Sequence, residues 1–177
     1  MRAELTRLAI ALLATTASVA AAQAQSASCV NDLPNPYHLV NDWAHTPRPW
    51  AATNNVYVDA KDHVWVFDRC GDAGCAGSSV APIWELSSDG KVMKNFGAGF
   101  VFPHAAVPDK DGNVWVVDGQ GKDGKGNQVT KLSPDGKVLM ALGKAGEGGK
   151  GLDVFDQPTS VAIAPNGDIF VSEGHAP

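Results

Sequence analysis

Two short spellings recur along this chain, and their spacing restricts its fold more than any other feature. Val56-Tyr57-Val58-Asp59 followed by Val64-Trp65-Val66-Phe67-Asp68 is matched by Ala106-Val107-Pro108-Asp109 followed by Val114-Trp115-Val116-Val117-Asp118. A third copy runs Val161-Ala162-Ile163-Ala164, then Ile169-Phe170-Val171-Ser172-Glu173. The offsets are 50 residues from Val64 to Val114 and 55 from Val114 to Ile169, the period of propeller-blade repeats. The second half of the unit recurs too: Ile83-Trp84-Glu85-Leu86-Ser87-Ser88-Asp89-Gly90-Lys91-Val92 aligns with Val129-Thr130-Lys131-Leu132-Ser133-Pro134-Asp135-Gly136-Lys137-Val138, 46 residues later. Each full repeat thus holds four short β-type runs. Asp89-Gly90, Asp111-Gly112, Asp135-Gly136 and Asn166-Gly167 fall between paired runs, where Gly reaches positive φ without steric cost and closes a tight hairpin.

Four antiparallel strands repeated at about 50 residues predict an all-β chain built as a β-propeller of four-stranded blades, about three of them present. A β-sandwich with two similar hairpins is the competing arrangement, but it gives no reason for the same spelling to recur. The 19 Gly and 11 Pro fit many turns rather than long helices. With 14 basic against 19 acidic side chains, and no polybasic block, the chain has no field for gripping a phosphate backbone. Nucleic acid and anionic membrane surfaces are therefore not expected partners.

The N-terminal 24 residues have a basic start at Arg2 and Arg7, an apolar run from Leu8 to Ala22 and an Ala22-Gln23-Ala24 site. They read as a cleaved signal peptide. The product is expected to be exported, to the periplasm or the extracellular space, with no membrane segment after cleavage. Residues 25–49 form a lead-in able to supply a closing strand, and residues 50–177 the blades. Export permits disulfides. Cys70 and Cys75 share the Gly-rich loop Arg69-Cys70-Gly71-Asp72-Ala73-Gly74-Cys75, which can close on itself as a small staple, leaving Cys29 odd. No Cys or His pair at zinc spacing accompanies them.

The spelling from Trp50 onward, V-x-D-x-x-G-N-V-W-V-x-D with K-L-S-P-D-G-K-V, resembles NHL-type propellers. Within that group, Val64-Trp65-Val66-Phe67-Asp68-Arg69-Cys70-Gly71, Phe96-Gly97-Ala98-Gly99-Phe100-Val101-Phe102-Pro103-His104 and Phe155-Asp156-Gln157-Pro158-Thr159-Ser160-Val161 resemble the bacterial relatives of peptidyl-α-hydroxyglycine α-amidating lyase. That resemblance implies a six-bladed ring, of which this stretch is the N-terminal half. It also implies a lyase that splits a peptide-like small substrate, extended by hydroxyglycine, into a peptide amide and glyoxylate. It assigns His104 as a zinc ligand, Arg69 to the active site, and the backbone carbonyls of Val56 and Ala106 to a structural calcium. The two other zinc His belong to later blades, so further blades or a second chain are expected to close the ring.

In antiparallel blades the start of the first strand and the end of the second share one rim. His104 stands near the start of a first strand, while Arg69 and His175 follow second strands. All three are expected at one end of the channel. Arg69 is there placed to hold a substrate carboxylate in a bidentate grip; without the resemblance it reads as a surface Arg paired to Asp68 or Asp72. The family's active-site Tyr is His175 here, whose imidazole can serve as base near neutral pH. Ala105 replaces a Gly after the ligand His, and Pro108 removes a backbone donor, which is expected to distort that strand. Asp59, Asp68, Asp109 and Asp118 recur with the blade and read as turn and strand-end caps, Trp65 and Trp115 as blade core. His63 reads as a solvated turn residue at the opposite rim; His38 and His45 have no assigned role. The alternative function is a non-catalytic exported propeller binding a peptide, glycan or protein partner.

Overall fold

In a computed structural model of the chain, residues 34–70 and 74–175 are described; the expected signal peptide, Cys29, Asp72 and the start of the lead-in lie outside them. Residues 34–39, which have no regular secondary structure, belong to a separate N-terminal unit, and there the Tyr37 amide donates to Asn35 Oδ1 at 3.0 Å. All named elements of the second unit are strands. Blade one comprises β1 (Thr53–Val58), β2 (Val64–Asp68), β3 (Ile83–Leu86) and β4 (Val92–Phe96). Blade two comprises β5 (Pro103–Pro108), β6 (Val114–Lys122), β7 (Lys125–Leu132) and β8 (Val138–Leu142), and β9 (Pro158–Ile163) pairs with β10 (Ile169–Glu173) in a two-stranded third sheet. Every ladder is antiparallel and joins neighbours in sequence. No helix among the described residues is long and apolar enough to cross a membrane.

The alternation of each strand divides its side chains between two blade faces. On β2, Trp65 and Phe67 join Ile83 and blade two's Ala106, Val114 and Val116 in one buried cluster; Val66 turns the other way, onto Trp84 and Leu86. Blade two repeats the scheme, with Trp115 and Val117 packing against Val161 of the third sheet. The recurring Trp residues are thus wedges between blades, each 3% exposed. Residues 43–50 lie against the outer part of blade one. Trp43 and Trp50 pack on the Val66–Trp84–Leu86 cluster, the His45 amide donates to Gly90 O at 2.9 Å, and His45 forms a single parallel bridge with Lys91. A Cβ on Gly90 would stand 1.8 Å from Trp43 O, and its φ is +83°, so both the turn and this crossing require glycine there.

The recurring aspartates are caps. Asp59 Oδ1 accepts from the amides of Lys61 and His63, and its Oδ2 from Trp65 Nε1; Asp109 accepts in the same way from Asp111, Asn113 and Trp115. One turn departs from the glycine rule, since Asp62 carries φ +61° where the second blade has Gly112 at +80°. Pro108 does not distort its strand. It is the last residue of β5 and pairs in register with Val114; the irregularity lies at Pro103/Ala105, where blade one has the same one at Thr53/Asn55. A proline at the strand's end gives up a donor the ladder does not use.

Cys70 and Cys75 are joined in a disulfide. The Cys75 amide donates to Val101 O at 2.7 Å, so the staple also ties the loop after β2 to the segment leading into β5. Replacing both cysteines by Ser is expected to cost roughly 2 kcal/mol, the chain-entropy value for so short a loop. Urea denaturation of the double variant, against wild type with and without reductant, measures it.

Candidate functional site

Arg69, His104 and His175 come from three different sheets, and the structure brings them to one rim. The His104 and His175 rings meet edge to face with centroids 4.9 Å apart. Phe102 forms the floor, its centroid 6.0 Å from His104 and 6.1 Å from His175, and the Arg69 guanidinium carbon lies 3.7 Å from the Phe102 centroid. A cation over an aromatic face at that distance is an attractive contact that also fixes the guanidinium plane.

Why Arg69 reaches this point follows from the repeat. The positions matching Arg69 in the other two sheets are Gly119 and Gly174, so a single blade contributes a long side chain there. Gly119 in turn makes room: a Cβ on it would lie 2.9 Å from Pro158 O and 3.5 Å from both Phe102 and His104 side chains. Arg69 is not paired to Asp68, whose buried carboxylate is occupied by Arg48 Nη1 at 2.6 Å and by the Ala51 amide at 2.8 Å. Arg69 Nε instead donates to Pro103 O at 3.4 Å, and among the described residues no carboxylate pairs with its terminal nitrogens. Burial lowers the Arg69 pKa, yet a guanidinium stays charged at any physiological pH.

His104 is oriented by a device that also repeats. The second residue of each inner strand is Asn54, His104 or Thr159. Asn54 Nδ2 donates to His104 O at 2.9 Å, and His104 Nδ1 lies 2.9 Å from Thr159 O, so each side chain pegs its blade to the next. A carbonyl accepts only, so Nδ1 carries the proton and Nε2 keeps its lone pair, the arrangement that suits a metal-ligating or proton-accepting imidazole. Burial lowers the His104 pKa, and the neighbouring His175 and Arg69 charges add to that, against the pull of Thr159 O. His104 is therefore biased towards the neutral form.

The floor is held from beneath by Asp118, 2% exposed, which accepts from the Val101 amide at 2.8 Å and from the Phe102 amide. Burial raises its pKa to about 6 despite those two donors. The cap recurs in blade one, where Asp68 Oδ1 accepts from the Ala51 amide at 2.8 Å, but the aromatic floor does not follow from the repeat, because Ala52 stands where blade two has Phe102. Val56 and Ala106 fall at matching positions of adjacent inner strands, opposite Val66 and Val116. A cavity of about 760 Å³ lies instead at the opposite rim, lined by Asp59, Trp65, Asp109, Trp115 and Lys131 among others. His63 at that rim is not simply solvated: its Nδ1 is 2.9 Å from Glu85 Oε1 and 3.5 Å from Asp59 Oδ2.

No protein-family model matches the chain. Curated relatives do. It is 40% identical over 90 residues to peptidyl-alpha-hydroxyglycine alpha-amidating lyase 1 of Drosophila melanogaster, covering 49% of this chain and 16% of that protein. It is 30% identical over 155 residues to the fly's lyase 2, covering 77% of this chain and 37% of the relative. Against the rat peptidylglycine alpha-amidating monooxygenase it is 30% identical over 155 residues, 76% of this chain and 15% of the relative. The chain thus spans well under half the length of these relatives, whose names carry an amidating reaction.

Proposed function

We propose that this chain supplies one rim of an exported propeller of the NHL type that cleaves peptidyl-α-hydroxyglycine to a peptide amide and glyoxylate. The observation that carries this reading is the convergence of Arg69, His104 and His175 over Phe102, within a sequence similar to amidating lyases. In this reading the hydroxyglycine carboxylate pairs with the terminal guanidinium nitrogens of Arg69, a charge-assisted bidentate contact. That grip sets the α-hydroxyl over the two imidazoles. His175 takes the hydroxyl proton, the C–O bond becomes the carbonyl of glyoxylate, and the C–N bond breaks. The same imidazole returns the proton to the departing amide nitrogen, so charge and protons balance.

The zinc of the resembled lyases is compatible with His104, whose Nε2 is free and whose Nδ1 is anchored. A catalytic zinc takes three protein ligands, and among the described residues no cluster of three ligand atoms includes His104. This chain's share of such a site is therefore partial. When bound, zinc would polarise the hydroxyl as a Lewis acid. A calcium on the Val56 and Ala106 carbonyls would pin inner strands β1 and β5 together. The Cys70–Cys75 disulfide supports an exported location, because such bonds persist in oxidising compartments.

The test is incubation of the complete protein with an α-hydroxyglycine-extended peptide, with glyoxylate and peptide amide quantified. Equimolar products, abolished by chelator and restored by zinc, are expected. Absence of chelator-sensitive glyoxylate would leave the non-catalytic binding module as the surviving reading.

A further inference from the structure

Blade one departs from blade two in the charges it places at the rim opposite Arg69. In blade two, Asp109 is neutralised by Lys131 Nζ at 3.0 Å and hydrogen-bonded by Asn113 Nδ2. Burial works against ionisation there, but Lys131, with Asn113 and Trp115, holds the Asp109 pKa at about 2. Asp109, Asn113, Lys131 and Met140 correspond to Asp59, His63, Glu85 and Lys94 in blade one. A lysine has become a buried glutamate and an asparagine a histidine. Two carboxylates and an imidazole face one ammonium, where blade two has one carboxylate and one ammonium.

The side chains in that place form a cluster of ligand atoms. His63 Nδ1, a carboxylate oxygen of Asp59 and one of Glu85 all lie within 4.8 Å of one another. His63 Nδ1 is 2.9 Å from Glu85 Oε1 and 3.5 Å from Asp59 Oδ2. Bonds of 2.0–2.2 Å to a tetrahedral zinc set ligand–ligand edges of about 3.3–3.6 Å, so a small opening of the present arrangement suffices. Glu85 is 5% exposed and its Oε2 accepts no hydrogen bond of good geometry, although the Lys94 ammonium stands 3.0 Å away. The supporting contacts are built as well. Asp59 Oδ1 is held by the Lys61 and His63 amides, its Oδ2 is steered by Trp65 Nε1, and Lys94 can stay on Glu85 Oε2 while Oε1 serves as ligand.

We propose that Asp59, His63 and Glu85 form a binding site for a divalent transition cation of the zinc class, separate from the Arg69–His104–His175 rim. The mixed nitrogen and oxygen donor set favours zinc, cobalt or nickel over calcium, which takes oxygen ligands alone. On binding, His63 gives Nδ1 to the metal and carries its proton on Nε2. Asp59 also lines the groove at this rim, together with Trp65.

Cobalt titration of the purified metal-free protein tests this, reading the visible absorption of four-coordinate Co²⁺ and its displacement by Zn²⁺. The informative variant is the triple His63→Asn, Glu85→Lys, Lys94→Met, which installs blade two's own residues in a backbone known to hold them and so preserves folding. It is expected to lose the signal and weaken cobalt binding by about 100-fold or more, since even partners that merely orient ligands are worth about 10–100-fold. His104→Ala is expected to keep the signal, which separates this site from the proposed lyase centre. Absence of four-coordinate cobalt in the wild-type protein, or a triple variant that binds as the wild type does, overturns the assignment.

Discussion

Replacing His175 by Ala is expected to lower kcat for glyoxylate release by about 10²–10⁴-fold while leaving KM little changed, the loss typical of a removed acid–base group. The side chain is exposed at the rim, beyond the last residue of β10, so its loss opens no cavity and leaves the fold intact. Among the described residues its ring meets the aromatic groups of His104 and Phe102. Arg69→Ala provides the contrast. Hydrogen bonds to charged groups are worth about 1.5–3 kcal/mol, so kcat/KM should fall by about 10- to 100-fold. That fall belongs mainly in KM, because the carboxylate is present in substrate and transition state alike. Arg69→Lys is not expected to rescue, since an ammonium has no planar fork for Phe102 and the carboxylate to share. Steady-state kinetics on an α-hydroxyglycine peptide decide the matter; an unchanged kcat in His175→Ala would remove the base from the proposal.

The second large effect concerns stability. Asp118→Ala strands the Val101 and Phe102 amides in a buried setting, at about 1–3 kcal/mol each, for an expected loss of about 2–5 kcal/mol. Asp118→Asn, which keeps one acceptor, should lose less. The acid carries a pH signature with a definite sign. Burial raises its folded pKa to about 6, from an ordinary 3.8, so between those values the native state holds a proton that the unfolded chain has released. Its contribution to stability is therefore fully present below pH 4 and is lost as pH rises through 6. Asp109, held at about 2, acts in the opposite sense but below this window, where its contribution fails as pH falls. Denaturation midpoints of wild type and Asp118→Asn from pH 4 to 8 should therefore converge as pH rises, and a pH-independent difference would contradict the assignment. Phe102 rides on the same two hydrogen bonds, so Asp118→Asn should also raise KM more than it lowers kcat.

What could be read from the chain alone divides along a physical line. Strand positions, the Asp-Gly turns, the capping role of Asp59 and Asp109 and the burial of Trp65 and Trp115 all follow from local periodicity and turn chemistry, which the repeat displays openly. The strand-end rule also placed Arg69, His104 and His175 at one rim. Contacts between unlike segments were not legible. Asp68 takes its cation from Arg48, upstream of the repeats, and Phe102 enters the site from an interblade segment. His63 looked like a turn residue because its partner Glu85 lies across β2 on β3, where the pairing is visible only once the ladder register is known. Pro108 looked disruptive for the same reason: its cost depends on whether the ladder needs that amide.

Each sheet is a meander whose pairings join strands adjacent in sequence, which has a consequence for how the protein comes to be active. Closing such short connections costs little chain entropy, so contacts within a blade should form early and fast. The rim cannot form that way, since Arg69, His104 and His175 each belong to a different sheet and meet only once the sheets dock, with β1 and β2 against β5 and with β5 and β6 against β9. Secondary structure should therefore recover before the site does. A refolding experiment would see strand signal return first and carboxylate binding later, with the delay measuring the docking of blades upon one another.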